Sequence, residues 1–292
     1  MNADLNLKKV QTYISKIPAL PVTITKVMEI CNNPNTSPVD LNKVISLDPV
    51  LMARVLKLIN SAYYGVSNQV TSLVRAIIML GLNTVKNLAL STAILGNLGK
   101  KENFNALNMQ GFWRHSLCVG VLSKIISRKM GVDQKLQEEY FISGLLHDIG
   151  KIPLNNALTT EFIHAMGLSD RDHLPLYRAE KQTIGFDHSD TGVLIGETWK
   201  LGDGLVDTIR YHHAPQDYTG KNKPVVYAVA ASNYYAVANE IGFSGSRFPE
   251  APGAEILQFL GIDWDYLDDN FDSLMEEIDK AQVYLRINEE NP

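Results

Sequence analysis

"LDPVLMARVLKLINSAYYG", residues 47 to 65, reads as a helix from its own punctuation. Asp48 is placed to cap it, and Pro49 to take its first position, where a missing N–H costs nothing. Val50, Leu51, Val55, Leu58 and Ile59 recur at helical steps and fall along one side. Gly65 is the expected stop. The same three- and four-residue rhythm runs through the rest of the chain, and alternation over a strand's length is nearly absent. The expected fold class is therefore all-α.

Working outward, "SLVRAIIMLGLNTVKNLALSTAIL" (72–95) reads as two helices, with Gly81 ending the first and Asn83 capping the second. Such a pair invites a helix-turn-helix reading. The acidic balance of the chain, formal net charge −5, and the apolar second helix favour two packed helices over a DNA reader. "GKKENFNALN" (99–108) is polar and aperiodic and is the expected boundary. It divides an N-terminal helical subdomain, 1–105, from a second helical subdomain with a C-terminal extension, 106–292. Beyond it, "FWRHSLCVGVLSKIISRKMG", "QEEYFISGLLHDIGK", "HSDTGVLIGETWKLGDGLVDTIRYHH" and "VVYAVAASNYYAVANEIG" read as helices or helix pairs. Residues 243–253, with their glycines and prolines, read as a loop, and "FDSLMEEIDKAQVYLRI" as a closing helix.

The two cysteines, Cys31 and Cys118, lie far apart and outside any CxxC spacing, which excludes a disulfide framework and fits a reducing compartment. The N-terminus is too polar for a secretory signal, and no run reaches the roughly 18 apolar residues of a membrane span. A soluble, cytoplasmic protein is expected, with no membrane partner and no nucleic-acid partner.

Seven histidines occur, and five stand in a telling order. His115 lies on the first helix of the second part. His147 and Asp148 end a later helix in "GLLHDIGK" (144–151). His188 opens another helix, and His212 with His213 closes its partner. Helices in a bundle can bring such side chains to one point. Imidazole and carboxylate together suit iron, manganese, nickel or zinc, and one aspartate can bridge two ions through its two oxygens. Successive helical residues point about 100° apart, so His212 and His213 share a centre only if it lies between their directions. His164 and His173 sit in a polar stretch and read as surface residues.

"HSLCV", "GLLHDIGK", "DHSDTG" and "YHHAP" together resemble the HD superfamily of metal-dependent phosphohydrolases. "IPALP" (17–21), "NSAYYG" (60–65) and "VTSLVRAIIMLGLNTVKNLAL" (70–90) narrow the likeness to the HDOD domain, the HD-related output domain of bacterial signalling proteins. It runs from about Ile17 to about Glu240. The resemblance implies an all-helical HD-like bundle, a bacterial source and a regulatory role. It implies a first metal held by His115, His147 and Asp148, and a second completed by His188, His212 and His213. One or two divalent transition metal ions (Fe, Mn, Ni or Zn) are thus expected. Asp148 and Lys151 are the candidate catalytic residues, Lys151 either near a substrate phosphate or as a solvated helix-end lysine.

Two departures bear on function. The superfamily supplies a further aspartate from a late helix, within an "AD" pair, and here "AASNYYA" puts Ser232 at that place. The Gly-Tyr-Pro signature of cyclic-di-GMP phosphodiesterases is missing after "HHAP", so that hydrolysis is not expected. The leading reading is a signal-transduction module acting by interaction, with a signalling protein or a phosphorylated small molecule as partner. The alternative is a phosphohydrolase acting on a nucleotide or other phosphoester.

Overall fold

The computed structural model describes residues 3–98 and 106–289. In chain order its helices are α1 (Ala3–Ile14), α2 (Val22–Cys31), α3 (Pro38–Ile45), α4 (Pro49–Ile59), α5 (Leu73–Leu80), α6 (Leu82–Leu98), α7 (Met109–Lys129), α8 (Gln137–Leu146) and α9 (Lys151–Ala157). There follow α10 (Thr159–Asp172), α11 (Leu176–Thr183), α12 (His188–Thr198), α13 (Asp203–Tyr211), α14 (Lys223–Ala238), α15 (Ala254–Leu260), α16 (Trp264–Asp268), α17 (Phe271–Ala281) and α18 (Val283–Glu289). No strand occurs among the described residues, so the all-α class holds.

The chain divides into two compact units, each assembled from separated segments. One comprises the described residues of Ala19–Lys100, Val132–Glu139 and Asp272–Pro292. The other comprises those of Met1–Pro18, Lys101–Gly131 and Tyr140–Phe271. The linear division expected near residue 105 falls on residues 99–105, outside the described residues. The N-terminal helix α1 groups with the second unit. It buries Val10 and Ile14, packs on α9 and α12, and its Asn6 donates to the Ile184 carbonyl at 3.1 Å.

In the first unit, α4 is fixed at its start by Asp48, whose carboxylate accepts from the Leu51 N–H at 2.9 Å. Leu51, Val55, Leu58 and Ile59 are buried, whereas Val50, expected on the same side, is exposed. The helix ends at Ile59 rather than running toward Gly65. Asn60 stops it by exchanging hydrogen bonds with the Val70 backbone, at 2.8 and 2.7 Å, as a strand neighbour would. At the next turn Gly81 has φ +89°, a conformation that favours glycine. The following helix starts at Leu82, so Asn83 lies inside its first turn and is not its cap. α5 and α6 meet at 118°, and most of α6 is buried against α2, α4, α5 and α18. A buried helix cannot enter a DNA groove. The closing helix is two helices, α17 and α18, broken at Gln282. No single helix among the described residues is long and apolar enough to cross a membrane.

The second unit is organised by close helix crossings. α7 and α14 pack along one another. α7 and α8 approach so tightly that a Cβ on Gly144 would fall 2.6 Å from the Val119 carbonyl oxygen. This crossing brings the first half of α7 and the end of α8 to the same place.

Candidate metal centre

The stretch GLLHDIGK leaves α8 at Leu146, turns through His147–Gly150 and re-enters helix at Lys151. The Lys151 N–H closes the turn on the Asp148 carbonyl at 2.9 Å. Gly150 is there for steric reasons. A Cβ on it would lie 1.9 Å from the His188 carbonyl oxygen and 2.4 Å from the Gly192 nitrogen. Only a bare backbone lets the turn reach the N-terminus of α12, and that contact sets Asp148 against His188.

α12 is itself anchored by a capping box. Asp187 accepts from the Asp190 N–H at 3.0 Å, and the Asp190 carboxylate accepts from the Asp187 N–H at 3.1 Å. His188 is thereby the first helical residue. His212 and His213 follow directly after α13, and His115 projects from α7. All of the expected ligand residues belong to this one unit.

Asp148 is fully buried at the centre. Its Oδ2 lies 2.6 Å from Lys151 Nζ, 3.4 Å from His147 Nε2 and 3.7 Å from His115 Nε2. Its Oδ1 lies 3.2 Å from His188 Nε2 and 3.6 Å from His212 Nε2. His213 Nε2 is 2.9 Å from His188 Nε2. The side chains thus form two groups that share Asp148: His115 and His147 on one side, His188, His212 and His213 on the other. Within each group the candidate ligand atoms lie within 4.8 Å of one another.

Each of three imidazoles is held by its other nitrogen. His147 Nδ1 is 2.6 Å from the Gly144 carbonyl, and His212 Nδ1 is 2.9 Å from the Ile209 carbonyl. His188 Nδ1 is 2.6 Å from Glu180 Oε2, which also accepts from the His188 N–H at 2.9 Å. A neutral ring that donates from Nδ1 keeps a lone pair on Nε2. The Nε2 atoms of His115, His147 and His212, together with Asp148 Oδ1, are buried without a hydrogen-bond partner among the described residues.

The electrostatics follow from burial and neighbours. Burial disfavours the charged form of His115 and lowers its pKa to about 3, despite Asp148 beside it. Burial likewise takes His212 down to about 4. His188 is equally buried, and desolvation pulls it down, but the Glu180 and Asp148 carboxylates together outweigh that and raise it to about 9. For Asp148, burial favours the neutral acid. His147 and Lys151 reverse this and hold it well below the usual carboxylate range.

Lys151 is not a solvated helix-end lysine. It is 1% exposed, paired with Asp148 and donating to Ser244 Oγ at 3.2 Å. His164 and His173 are exposed and away from the centre, as the sequence implied. Ser232 does not face the centre. Its hydroxyl donates to the Ala228 carbonyl at 2.7 Å and meets Ser123 Oγ at 3.1 Å. The next residue, Asn233, lies against His115 instead, with its amide oxygen buried and unpaired among the described residues. One residue is about 100° of helix, so reading the "AD" register one position early chose the wrong face.

Sequence reasoning also missed Glu180 and Tyr177. Tyr177 stacks on His213 with ring centroids 4.6 Å apart. Its hydroxyl donates to Glu250 at 2.6 Å. Neither residue sits in a motif, and only the packing of α11 against α12 and beside His213 reveals them. A cavity of about 470 Å³ opens onto His212, His213 and Asn233. Tyr177 and Tyr234 form its aromatic wall, Glu250 and Glu255 lie on its lining, and no lysine or arginine does.

The profile of the HDOD domain matches residues 17–215. The crystal structure of an HDOD domain protein of unknown function from Geobacter sulfurreducens is similar, with TM-score 0.73 and 24% identity over 95% of this chain and 98% of that one. A proposed phosphohydrolase from Shewanella amazonensis SB2B gives 0.68 and 23% over 95% and 98%. A proposed signal transduction protein from Marinobacter aquaeolei VT8 gives 0.73 and 21% over 99% and 67%. At these identities the likeness concerns the fold. An uncharacterized protein from Treponema pallidum (strain Nichols) is 26% identical over 224 residues. Those residues are 75% of this chain but 42% of that protein, so the chain spans less than half the length of this relative. With the family profile covering most of its length, the chain belongs to the HDOD domain family.

Proposed function

We propose that this chain is a regulatory HDOD protein of the cytoplasm whose His/Asp centre holds a divalent transition metal, iron, manganese, nickel or zinc. On this reading it acts by engaging a signalling partner rather than by turnover. The observation that carries the metal is the set of unpaired Nε2 atoms on His115, His147 and His212 around Asp148. A buried polar atom left unpaired costs about 1–3 kcal/mol. Several such atoms aimed at one carboxylate form a donor set that suits a metal.

The chain's own residues prepare the site. Gly144 and Ile209 carbonyls orient His147 and His212, and Glu180 orients His188, as carboxylates do behind metal-binding imidazoles. Asp148 supplies the central negative charge. A bound cation would supply Lewis acidity and charge at this point. The cavity lining supports interaction over turnover, because it carries no lysine or arginine to hold a phosphoester; Glu250 is already paired with Arg178, and Glu255 adds a carboxylate that disfavours an anion. Lys151, a candidate to meet a substrate phosphate, is paired with Asp148 and does not line the cavity.

The second reading, a phosphohydrolase acting on a phosphorylated small molecule with Asp148 and Lys151 as catalytic residues, is favoured by one observation. The open cavity reaches His212 and His213 directly. Plasma mass spectrometry of anaerobically purified protein, beside a His147→Ala/Asp148→Ala double variant, tests the metal. The wild type should carry first-row metal and the variant none. Phosphatase and phosphodiesterase assays with Mn²⁺ or Fe²⁺ then separate the two readings. Turnover that Asp148→Ala abolishes would replace the interaction reading with the enzymatic one.

A further inference from the structure

The two groups around Asp148 are chemically unequal. The Oδ1 side offers His188, His212 and His213, and behind His188 stands the buried carboxylate of Glu180. The Oδ2 side offers His115 and His147, with the neutral amide of Asn233 beside them. It also holds a cation of the chain's own: Lys151 Nζ lies 2.6 Å from Oδ2, fixed on its other side by Ser244.

We infer that the centre is mononuclear, with its ion in the group formed by Asp148, His188, His212 and His213, and with the Lys151 ammonium taking the place of a second ion beside His115 and His147. This deepens the metal-binding reading above and rests on it.

The argument is one of distance and charge. An ion bound to a carboxylate oxygen sits about 2.0–2.2 Å from it. An ion on Oδ2 would therefore lie within about 5 Å of an ammonium already 2.6 Å from the same atom. In a buried site two positive charges at that separation repel strongly. On this side the chain supplies no anion to compensate, since the residue facing His115 is the uncharged Asn233. On the Oδ1 side the balance is reversed. Glu180 adds negative charge through His188, and Lys151 bonds the other oxygen. Asp148 is thus shared between a metal on one oxygen and a lysine on the other.

Metal stoichiometry tests this without any activity. Protein treated with chelator is titrated with Mn²⁺ and with Zn²⁺ by calorimetry, and the content is counted by plasma mass spectrometry after gel filtration. Wild type should take one ion per chain. His188→Ala should lose it, and His115→Ala should keep it. Lys151→Met and Lys151→Gln, each checked by circular dichroism for native helix content, should take two. Two ions in the wild type, or one ion lost with His115→Ala and kept with His188→Ala, overturns the inference while leaving the metal-binding reading intact. A folded lysine variant still holding one ion overturns it equally. The histidine variants decide the ion's position even where neither lysine variant folds. A protein that stays empty in every sample overturns both readings together.

Discussion

Two buried carboxylates, one in each unit, have opposite surroundings. Glu138 is 2% exposed, and its Oε1 accepts from the Tyr64 and Tyr284 hydroxyls, both at 2.7 Å. The two phenols also meet each other at 2.5 Å, and Tyr63 packs edge-on against both rings. Burial, then the Glu138 charge, pushes both phenols well above their ordinary range, so they remain donors. Asp148 instead faces the Nε2 atoms of His115, His147 and His212, which have no hydrogen-bond partner among the described residues, together with His188 and the Lys151 ammonium. A buried acid surrounded by donors is a structural joint, here tying together three distant pieces of one unit. A buried acid ringed by several unpartnered imidazole nitrogens is a place for a cation.

The contrast is sharpest on removal of the acid. Asp148→Ala should abolish metal content and leave Lys151 as an uncompensated buried charge. A loss of about 3–5 kcal/mol is expected, read from urea unfolding of chelator-treated protein. If stability falls but metal content does not, Asp148 is a joint like Glu138 and the distinction fails.

Acid should find the same unit first. In the metal-free protein His115 and His212 have pKa values of about 3 and about 4, below the unfolded value of 6.5. Burial and the neighbouring His212 and His188 also hold His213 well below its ordinary value. As pH falls below 6.5 the unfolded chain therefore takes up three protons that the native state refuses, and stability should drop by roughly 4 kcal/mol per pH unit. His188 acts in the other direction. Its folded pKa is about 9, so its contribution is complete below 6.5 and is lost as pH rises toward 9. Unfolding of chelator-treated protein from pH 4.5 to 9 should show a maximum near 6.5. A flat profile would mean that these imidazoles are far less desolvated than the packing indicates.

How much of this was legible in the sequence depends on the scale of the signal. Helix existence was legible because it is local: Asp48 and Pro49 open α4 where their chemistry places them. The order of five histidines with Asp148 was legible because motifs carry it. The end of α4 was not, since Asn60 stops it through Val70, ten residues away. The facing residue on α14 was misread by one position, which only packing against α7 resolves. Glu180, Tyr177 and the Tyr64–Glu138–Tyr284 joint were invisible for the same reason. Each depends on separate segments meeting, and no spacing within one segment announces that.

The joint in the other unit should fail more gently. Glu138→Gln keeps one acceptor oxygen for both phenols, replaces the other oxygen with an amide NH2 and removes the charge. It should cost about 1–2 kcal/mol in urea unfolding. Metal content should not change. A drop in bound metal would show that the two buried acids are coupled, and the comparison would have to be abandoned.

The smallest effect comes from a device that both units contain. Ser37 with Asp40 forms a capping box at the start of α3, and Asp187 with Asp190 forms one at the start of α12. Losing either cap to alanine should cost about 1 kcal/mol. The consequences should nevertheless differ. α3 presents no site residue, so Ser37→Ala should lower stability and leave metal affinity alone. α12 presents His188 as its first residue, directly after the cap, and Lys181 further fixes Asp187 at 2.9 Å. Fraying that first turn moves the imidazole relative to Asp148 Oδ1. Asp187→Ala should therefore weaken metal binding several-fold at nearly the same stability cost, in calorimetric titrations run beside Ser37→Ala. Equal affinities in the two variants would show that Glu180 alone, through both the ring and the backbone of His188, is enough to hold the ligand in place.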